Sequence, residues 1–302
     1  MRLCKICGTE TIILFSNSKD YFVSGGSSHD FGICYCDGCK IGYSLPALSL
    51  DEFPIYYPDN FEAYIPRKTF WGFLQRIKYK SDLKKLSRYL NSKQKFLFEV
   101  GAGRGAFLKE AKNCGFEVTG IEPGTRGVEF AAGQYGIHLE QVFASEMQFE
   151  KQYHVIVARH SLEHLDEFYE CLKKIYHEGL LKGGILFLKL PRLDSWEAKK
   201  FGRFWHGFDL PRHRVHFTKK GLARILKDIG FHEISIKGEV VAEDMIRSLH
   251  YCALHAGPGV SKILARYFDL LPHGLKFVIC QLMGYLLWPW GTGRMIGIAR
   301  KR

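Results

Sequence analysis

From residue 93 to residue 237 the chain alternates short apolar runs with stretches in which apolar residues recur at helical spacing. Runs at 96–100, 116–121, 153–158, 185–190 and 231–237 have the length of strands, and 137–143 and 295–299 add two more. Residues 106–113 and 219–229 carry the helical pattern. Strands and helices in alternation predict an α/β fold with a doubly wound, seven-stranded sheet. Ahead of it, Phe73, Leu74, Ile77, Leu83, Leu86 and Leu90 recur as on one face of a helix spanning 70–90. Pro54, Pro58 and Pro66 stand among aromatics and mark a connecting segment. The expected organisation is a small module at 1–50, a linker and helical segment at 51–92, and the α/β domain at 93–302. An apolar helical insertion interrupts that domain at about 245–290.

The insertion breaks the pattern because Phe277 through Trp290 carries no charge. Its apolar stretch is shorter than the roughly 20 residues a spanning helix needs. It reads either as a buried helical insertion or as a helix pair on a membrane surface. In the second reading Arg266, Lys276, Arg294, Arg300, Lys301 and Arg302 would face anionic headgroups through 258–290.

Between the strand at 96–100 and the next helix lies Glu99-Val100-Gly101-Ala102-Gly103-Arg104-Gly105. Glycines let the backbone turn tightly and approach a ligand with no Cβ in the way. Glu122 closes the following strand about 20 residues on, where a carboxylate accepts both hydroxyls of a ribose. Gly101, Gly103 and Ala106 also satisfy a dinucleotide fingerprint. Glu99 weighs against that reading, since it would repel a pyrophosphate and suits a cationic cofactor with an amino group.

Five of the nine cysteines fall in the first 50 residues. Cys4-x-x-Cys7 and Cys36-x-x-Cys39, 28 residues apart, form two knuckles expected to close around one structural zinc ion. Cys34 could compete as a ligand but breaks the spacing. The segment at 41–43 fits a hairpin leaving the metal. Clustered, odd-numbered cysteines argue against a disulfide framework and for a reducing compartment. The polar start from Met1 to Cys7 reads as no signal peptide, so the expected place is the cytoplasm, with the inner face of the membrane as an extension of it.

Trp205 to Thr218 packs three histidines, two arginines and one aspartate beyond the fifth strand of that count. Ligands bind at that edge of an open α/β sheet. Histidine takes a proton near neutral pH and arginine grips phosphate with two donors. Together these histidines and arginines could grip a phosphorylated acceptor and deprotonate its hydroxyl. The alternative is a structural loop in which these groups satisfy one another. Thr218 before Lys219 and Lys220 reads as a helix N-cap.

The glycine loop, Glu122 and His160-Ser161-Leu162-Glu163-His164-Leu165 together resemble the class I S-adenosylmethionine-dependent methyltransferases, on a Rossmann-like domain. The resemblance implies that Glu99, Gly101, Ala102, Gly103 and Gly105 wrap the amino acid part of the cofactor. It implies that Glu122 with Pro123 meets the ribose, that 144–147 including Ser145 covers the adenine, and that His160, Ser161 and Leu162 lie beside the sulfonium. A zinc knuckle before such a domain resembles the sugar C-methyltransferases of deoxysugar pathways and their relatives in polysaccharide clusters. Tyr56-Tyr57-Pro58 and Tyr64 resemble the tyrosine-rich linker of those proteins. Trp205 to Thr218 resembles a W-x-G-x-D-x-P-R-H-x-x-H-F-[ST] pattern of bacterial glycan and lipid methyltransferases, which implies Asp209, Arg212, His213 and His216 as catalytic candidates, the base being His213, His216 or His164.

The expected function is methyl transfer to a small-molecule acceptor, a nucleotide- or lipid-linked sugar. The charge of +12 keeps a ribosomal RNA methyltransferase in play. The basic residues are dispersed, however, and no RNA-binding appendage is evident. A cofactor-binding scaffold without chemistry is the third reading; the intact motifs argue against it.

Overall fold

The computed structural model describes residues 3–21, 30–47, 56, 70–90 and 95–302. Tyr57, Pro58 and Tyr64 of the expected aromatic linker lie outside these residues. In chain order the strands of the N-terminal part are β1 (Ile12–Ser18), β2 (Phe31–Cys36) and β3 (Ile41–Leu45), followed by helix α1 (Phe70–Ser87). Next come β4 (Phe96–Val100), α2 (Ala106–Asn113), β5 (Glu117–Ile121), α3 (Thr125–Tyr135), β6 (Tyr153–Arg159) and α4 (Phe168–Lys174). They are followed by β7 (Leu180–Pro191), α5 (Trp196–Phe201), β8 (Val215–Phe217), α6 (Lys219–Ile229) and β9 (His232–Glu239). Helices α7 (Ala242–His255), α8 (Val260–Asp269) and α9 (His273–Leu286) precede the last strand, β10 (Arg294–Arg300).

The larger sheet has strand order β5-β4-β6-β7-β10-β9. β4 pairs in parallel with both β5 and β6. It reads as a near-continuous apolar run, as expected of a parallel strand covered on both faces. The described residues form six strands here, not the seven expected. The segment at 137–143 contributes a single bridge, Ile121 to Glu140. Ile137 and Leu139 are buried, but Phe143 is exposed, so the apolar anchor that would prolong the ladder ends after two residues. The insertion is three helices, and among the described residues no helix is long and apolar enough to cross a membrane.

Two compact units emerge. The first comprises Met1–Tyr56, Lys189–Ile225 and Ile236–Ile296; the second comprises Tyr57–Leu188, Leu226–Ser235 and Gly297–Arg302. In the first, a second sheet of order β1-β2-β3-β8 forms. β3 and β8 run antiparallel, Ile41 opposite Phe217 and Tyr43 opposite Val215. Thr218 caps α6 through its hydroxyl, which accepts the Gly221 N–H at 2.9 Å. The same hydroxyl donates to the Lys40 carbonyl at 2.7 Å. α7 supplies Met245 and Ile246 to a core shared with Cys280 of α9.

In the second unit, α1 buries Tyr79, Leu83 and Leu86, while Phe73 and Ile77 are half exposed. The helix forms as its periodicity predicts, but its buried stripe is set by Tyr79, which meets Phe107 of α2 edge-on.

Candidate functional site

In the second unit the strand order reverses beside β4, and the crevice beyond the carboxyl ends of such strands is where open α/β sheets bind ligands. The loop that leaves β4 sits there. Gly101, Gly103 and Gly105 have φ of 69°, 55° and 73°, left-handed values that disfavour any side chain. The Gly101 and Ala102 amides both donate to the Ile121 carbonyl at 3.0 Å, which folds the loop over the end of β5. A Cβ on Gly101 would lie 2.6 Å from the Ser161 Cβ. One on Gly103 would meet nothing within 4 Å, so the loop presents bare backbone to open space.

Glu122 holds this arrangement. Its Oε2 accepts the Gly103 N–H at 2.7 Å and its Oε1 accepts the Gly124 N–H at 3.0 Å. A carboxylate only accepts, so Glu122 presents at this loop the group that amide and hydroxyl donors require. Pro123 is exposed beside it, and Ser145 is exposed in the turn following the bridge residue Glu140.

Glu99 is buried at the base of the loop. Its Oε1 lies 3.4 Å from the Arg159 Nη1, and its Oε2 has no hydrogen-bond partner. Burial pushes its carboxyl up to about 7, with Arg159 offsetting part of the rise. A buried carboxylate oxygen left unmatched is costly unless a ligand completes it. An ammonium group is the donor that fits. Arg159 itself was missed in the sequence reading. It closes β6, and its guanidinium rests on the rings of Tyr79 and Phe107, 4.3 Å from each centroid. A basic residue ending the strand just before His160 was the available signal.

After β6 the chain turns through His160, at φ 56°, and Ser161, whose buried hydroxyl has no partner. His160 Nδ1 is 3.6 Å from Glu163 Oε1. Leu162 is fully buried, a packing residue of this turn, and His164 is half-buried.

The first unit holds the two other groups. Cys4, Cys7, Cys36 and Cys39 bring their sulfurs within 4.8 Å of one another. The Cys4–Cys39 and Cys7–Cys36 sulfurs are 3.8 and 3.5 Å apart. Four thiolates about 2.3 Å from one zinc ion lie about 3.8 Å apart, so this set could hold the metal in a closed tetrahedron. The Cys39 amide points at the Cys36 sulfur, at 3.3 Å. Cys34 is buried in β2 and stands outside the set.

The histidine segment is wired inward. Arg212 is fully buried and all five of its N–H donors are occupied. They reach Asp20 at 2.8 and 2.8 Å, Asp209 at 2.9 and 2.6 Å, and the Tyr56 carbonyl at 3.4 Å. The expectation that Arg212 grips a phosphate is corrected accordingly: the guanidinium has no donor left for one. Burial would raise the Asp209 carboxyl, but Arg212 and His213 outweigh it and hold it well below the usual carboxylate range. Asp209 sits at φ 36°, a left-handed value sustained by these bonds. The described tyrosine of the linker, Tyr56, is buried against the Phe31 ring.

His216 is buried on β8, its Nε2 2.9 Å from the Ser44 hydroxyl. That hydroxyl donates to the His213 carbonyl, so His216 is assigned as the Nε2–H tautomer. Burial pushes its imidazole down to about 3. With its Nε2 engaged by Ser44 and its ring kept neutral by burial, His216 fits a structural place on β8. His213 differs. Its Nδ1 faces the Gly207 carbonyl at 2.9 Å and so carries the proton, while Nε2 stands 3.9 Å from Asp209 Oδ2.

Breaking the Arg212 pair leaves two buried carboxylates without their counter-charge. Arg212→Met is expected to cost about 3–5 kcal/mol of stability. The midpoint of urea unfolding checks this, and an unchanged midpoint would show the pair to be dispensable.

The methyltransferase-domain family model matches residues 70–236, more than half of the chain. No curated protein sequence matches it. Among solved structures, Haemonchus contortus phosphoethanolamine N-methyltransferase 2 with S-adenosyl-L-methionine is 14% identical, with a TM-score of 0.55 over 93% of this chain and 71% of that one. The same enzyme with phosphomonomethylethanolamine and S-adenosylhomocysteine gives 14% and 0.56, over 93% and 72%. An S-adenosylmethionine-dependent methyltransferase from Archaeoglobus fulgidus is 20% identical, with a TM-score of 0.49 over 77% of this chain and all of that one. At 14% identity and TM-scores above 0.5, the two Haemonchus structures share the fold of this chain. The family match over residues 70–236, more than half of the chain, identifies the protein as a member of the methyltransferase-domain family.

Proposed function

We propose that the enzyme methylates a small, sugar-containing acceptor of glycan biosynthesis, nucleotide- or lipid-linked, with structural zinc in its cysteine cluster. The observation that carries this reading is the sheet β1-β2-β3-β8. The strand that follows the second cysteine knuckle, a feature resembling sugar C-methyltransferases, pairs with the strand of the histidine segment, which resembles glycan and lipid methyltransferases. Cys4, Cys7, Cys36 and Cys39 hold the zinc, which stabilises the turn that starts β3.

S-adenosylmethionine, when bound, supplies a methyl group on a sulfonium for in-line displacement. Glu99 takes the ammonium of its amino acid part through Oε2. Gly101, Gly103 and Gly105, with Ala102 among them, would pass their backbone along it, and Glu122 would accept the ribose hydroxyls. His160 and Ser161, in the turn after β6, would lie on the side of the cofactor's sulfonium. His213, with Nδ1–H fixed on the Gly207 carbonyl, offers Nε2 to take the acceptor's proton, and Asp209 steadies the imidazolium that results. Asp209 and Arg212 are positioning residues.

Glu99 binds an ammonium only when ionised. Because its folded value lies above its unfolded one, folding stability falls as pH rises from the ordinary carboxylate range through about 7. Cofactor affinity is expected to rise over the same window, by up to about tenfold per pH unit, and to level off above it. Calorimetric titration at several pH values tests this; a flat profile would take Glu99 out of the site.

The acceptor is tested by transferring labelled methyl from S-adenosylmethionine into a fractionated cell extract. Label in lipid or small sugar fractions supports the reading. Label in RNA would replace it with the nucleic-acid alternative that the net charge of +12 favours.

A further inference from the structure

Helices α8 and α9 carry apolar residues on the side turned away from the core. On α8, Ile263 and Tyr267 follow one face, continued by Leu270 just past its end, and Leu270 is 81% exposed. On α9, Val278, Leu282 and Leu286 follow one face, and Leu286 is 74% exposed. The other side of α9 is equally apolar and is used: Cys280 is fully buried and Phe277 packs on Met245 and Ile246 of α7. A surface helix in water carries polar residues on its outer face. α9 is apolar on both, and the three-residue turn beyond it sets Trp288 and Trp290 outward as well, Trp290 being 65% exposed. An exposed apolar surface of this extent marks a contact with something else.

Charge decides between the occupants. Within 258–290 the only acid is Asp269, against Lys262, Arg266 and Lys276. Asp269 is held by His250 at 2.9 Å and Lys276 at 3.3 Å. At the end of the apolar face, Trp288 and Trp290 wall a cavity of about 310 Å³ whose other lining includes Arg192 and Lys219. Arg192 is steadied by Asp194 at 2.9 Å, and the cavity has room for a phosphate group. A second copy of this chain would bring a like-charged face from a molecule of net charge +12. An anionic lipid surface brings apolar chains for Leu282 and Leu286, an interface level for the tryptophans, and phosphates for the cations. α9, at 14 residues, is too short to span a bilayer but suited to lie along one.

We infer that the face formed by α8, α9 and Trp288–Trp290 docks on an anionic bilayer, with a lipid phosphate in the Arg192–Lys219 cavity. This stands apart from the choice of acceptor, since a bilayer-docked enzyme can serve soluble and lipid-linked substrates alike.

The test is co-sedimentation of the full chain with phosphatidylglycerol and with phosphatidylcholine vesicles. The protein should pellet with the first, be released by salt, and stay in solution with the second. The double substitution Leu282→Glu and Leu286→Glu touches only exposed positions. It should lower partitioning by about tenfold or more while leaving S-adenosylmethionine affinity unchanged. Should that variant fail to fold, bromine-labelled phosphatidylglycerol is added to the unaltered protein, and quenching of its tryptophan fluorescence is expected. Protein left in the supernatant, equal binding to both lipids, or absent quenching would each overturn the inference. So would a stable dimer in sedimentation velocity that the double substitution dissociates.

Discussion

Chelating the zinc proposed for the Cys4–Cys7–Cys36–Cys39 cluster is expected to unfold the sheet β1-β2-β3-β8, and Cys36→Ser should do the same permanently. The four sulfurs are gathered to the spacing a tetrahedral ion requires. Without the ion, four thiols would be held together with nothing to favour the arrangement. Structural zinc supplies about 10–16 kcal/mol in small modules, more than the total stability of most domains. The loss should reach well beyond the cysteines. β3 pairs with β8, Thr218 bonds to the Lys40 carbonyl, and Ser44 links to both His213 and His216. Elemental analysis should find zinc in the purified protein. On chelation, the loss of the near-ultraviolet signal from Tyr35, Tyr43 and Trp205 should track the metal. A protein that retains its signal after the metal has gone, or never held any, would make the cluster a set of reduced thiols.

The second large effect concerns the cofactor. Glu99→Gln should weaken S-adenosylmethionine binding by roughly 10- to 150-fold, the range expected for losing a charge-assisted bond to a buried ammonium. The side chain keeps its shape and its place near Arg159, so the fold of the loop is preserved. Gly101→Ala should be comparably damaging for a different reason. The alanine would have to adopt φ of 69° and place its Cβ 2.6 Å from that of Ser161, forcing the loop and the turn after β6 apart. Calorimetry of both variants separates the causes. The Glu99→Gln loss should shrink as pH falls through about 7, because the native carboxyl is then protonated too. The Gly101→Ala loss should not depend on pH. If Glu99→Gln binds as tightly as the native protein, the unmatched oxygen has another purpose.

The elements were largely legible because each is encoded locally. β4 appears where five apolar-dominated positions precede a glycine run, and α6 spans the residues its periodicity marks, starting at the Thr218 cap. The segment at 137–143 misled because two buried residues look like the start of a strand whether or not the ladder continues. The candidate site was legible in its backbone half. Glycines at left-handed positions and an acid closing the next strand leave their mark in residue type. The histidine segment was not, because a cluster of charged residues has the same composition whether it faces a ligand or itself. Asp20, the residue that decides the matter, lies 192 positions from Arg212.

The sequence by itself determined the order of elements, the glycine loop with Glu122, and the cysteine pairs able to share an ion. These depend on periodicity, on backbone dihedrals only glycine adopts cheaply, and on ligand spacing, all properties of neighbouring residues. Tertiary structure alone decided that β8 joins the cysteine sheet, that Arg212 is consumed by Asp20 and Asp209, and that Glu99 is buried with one oxygen unmatched. It also decided which side of α9 is left uncovered. Each of these turns on which distant group arrives alongside and how much water it displaces. Burial sets the cost of every unpaired charge, and burial is a property of the assembled fold.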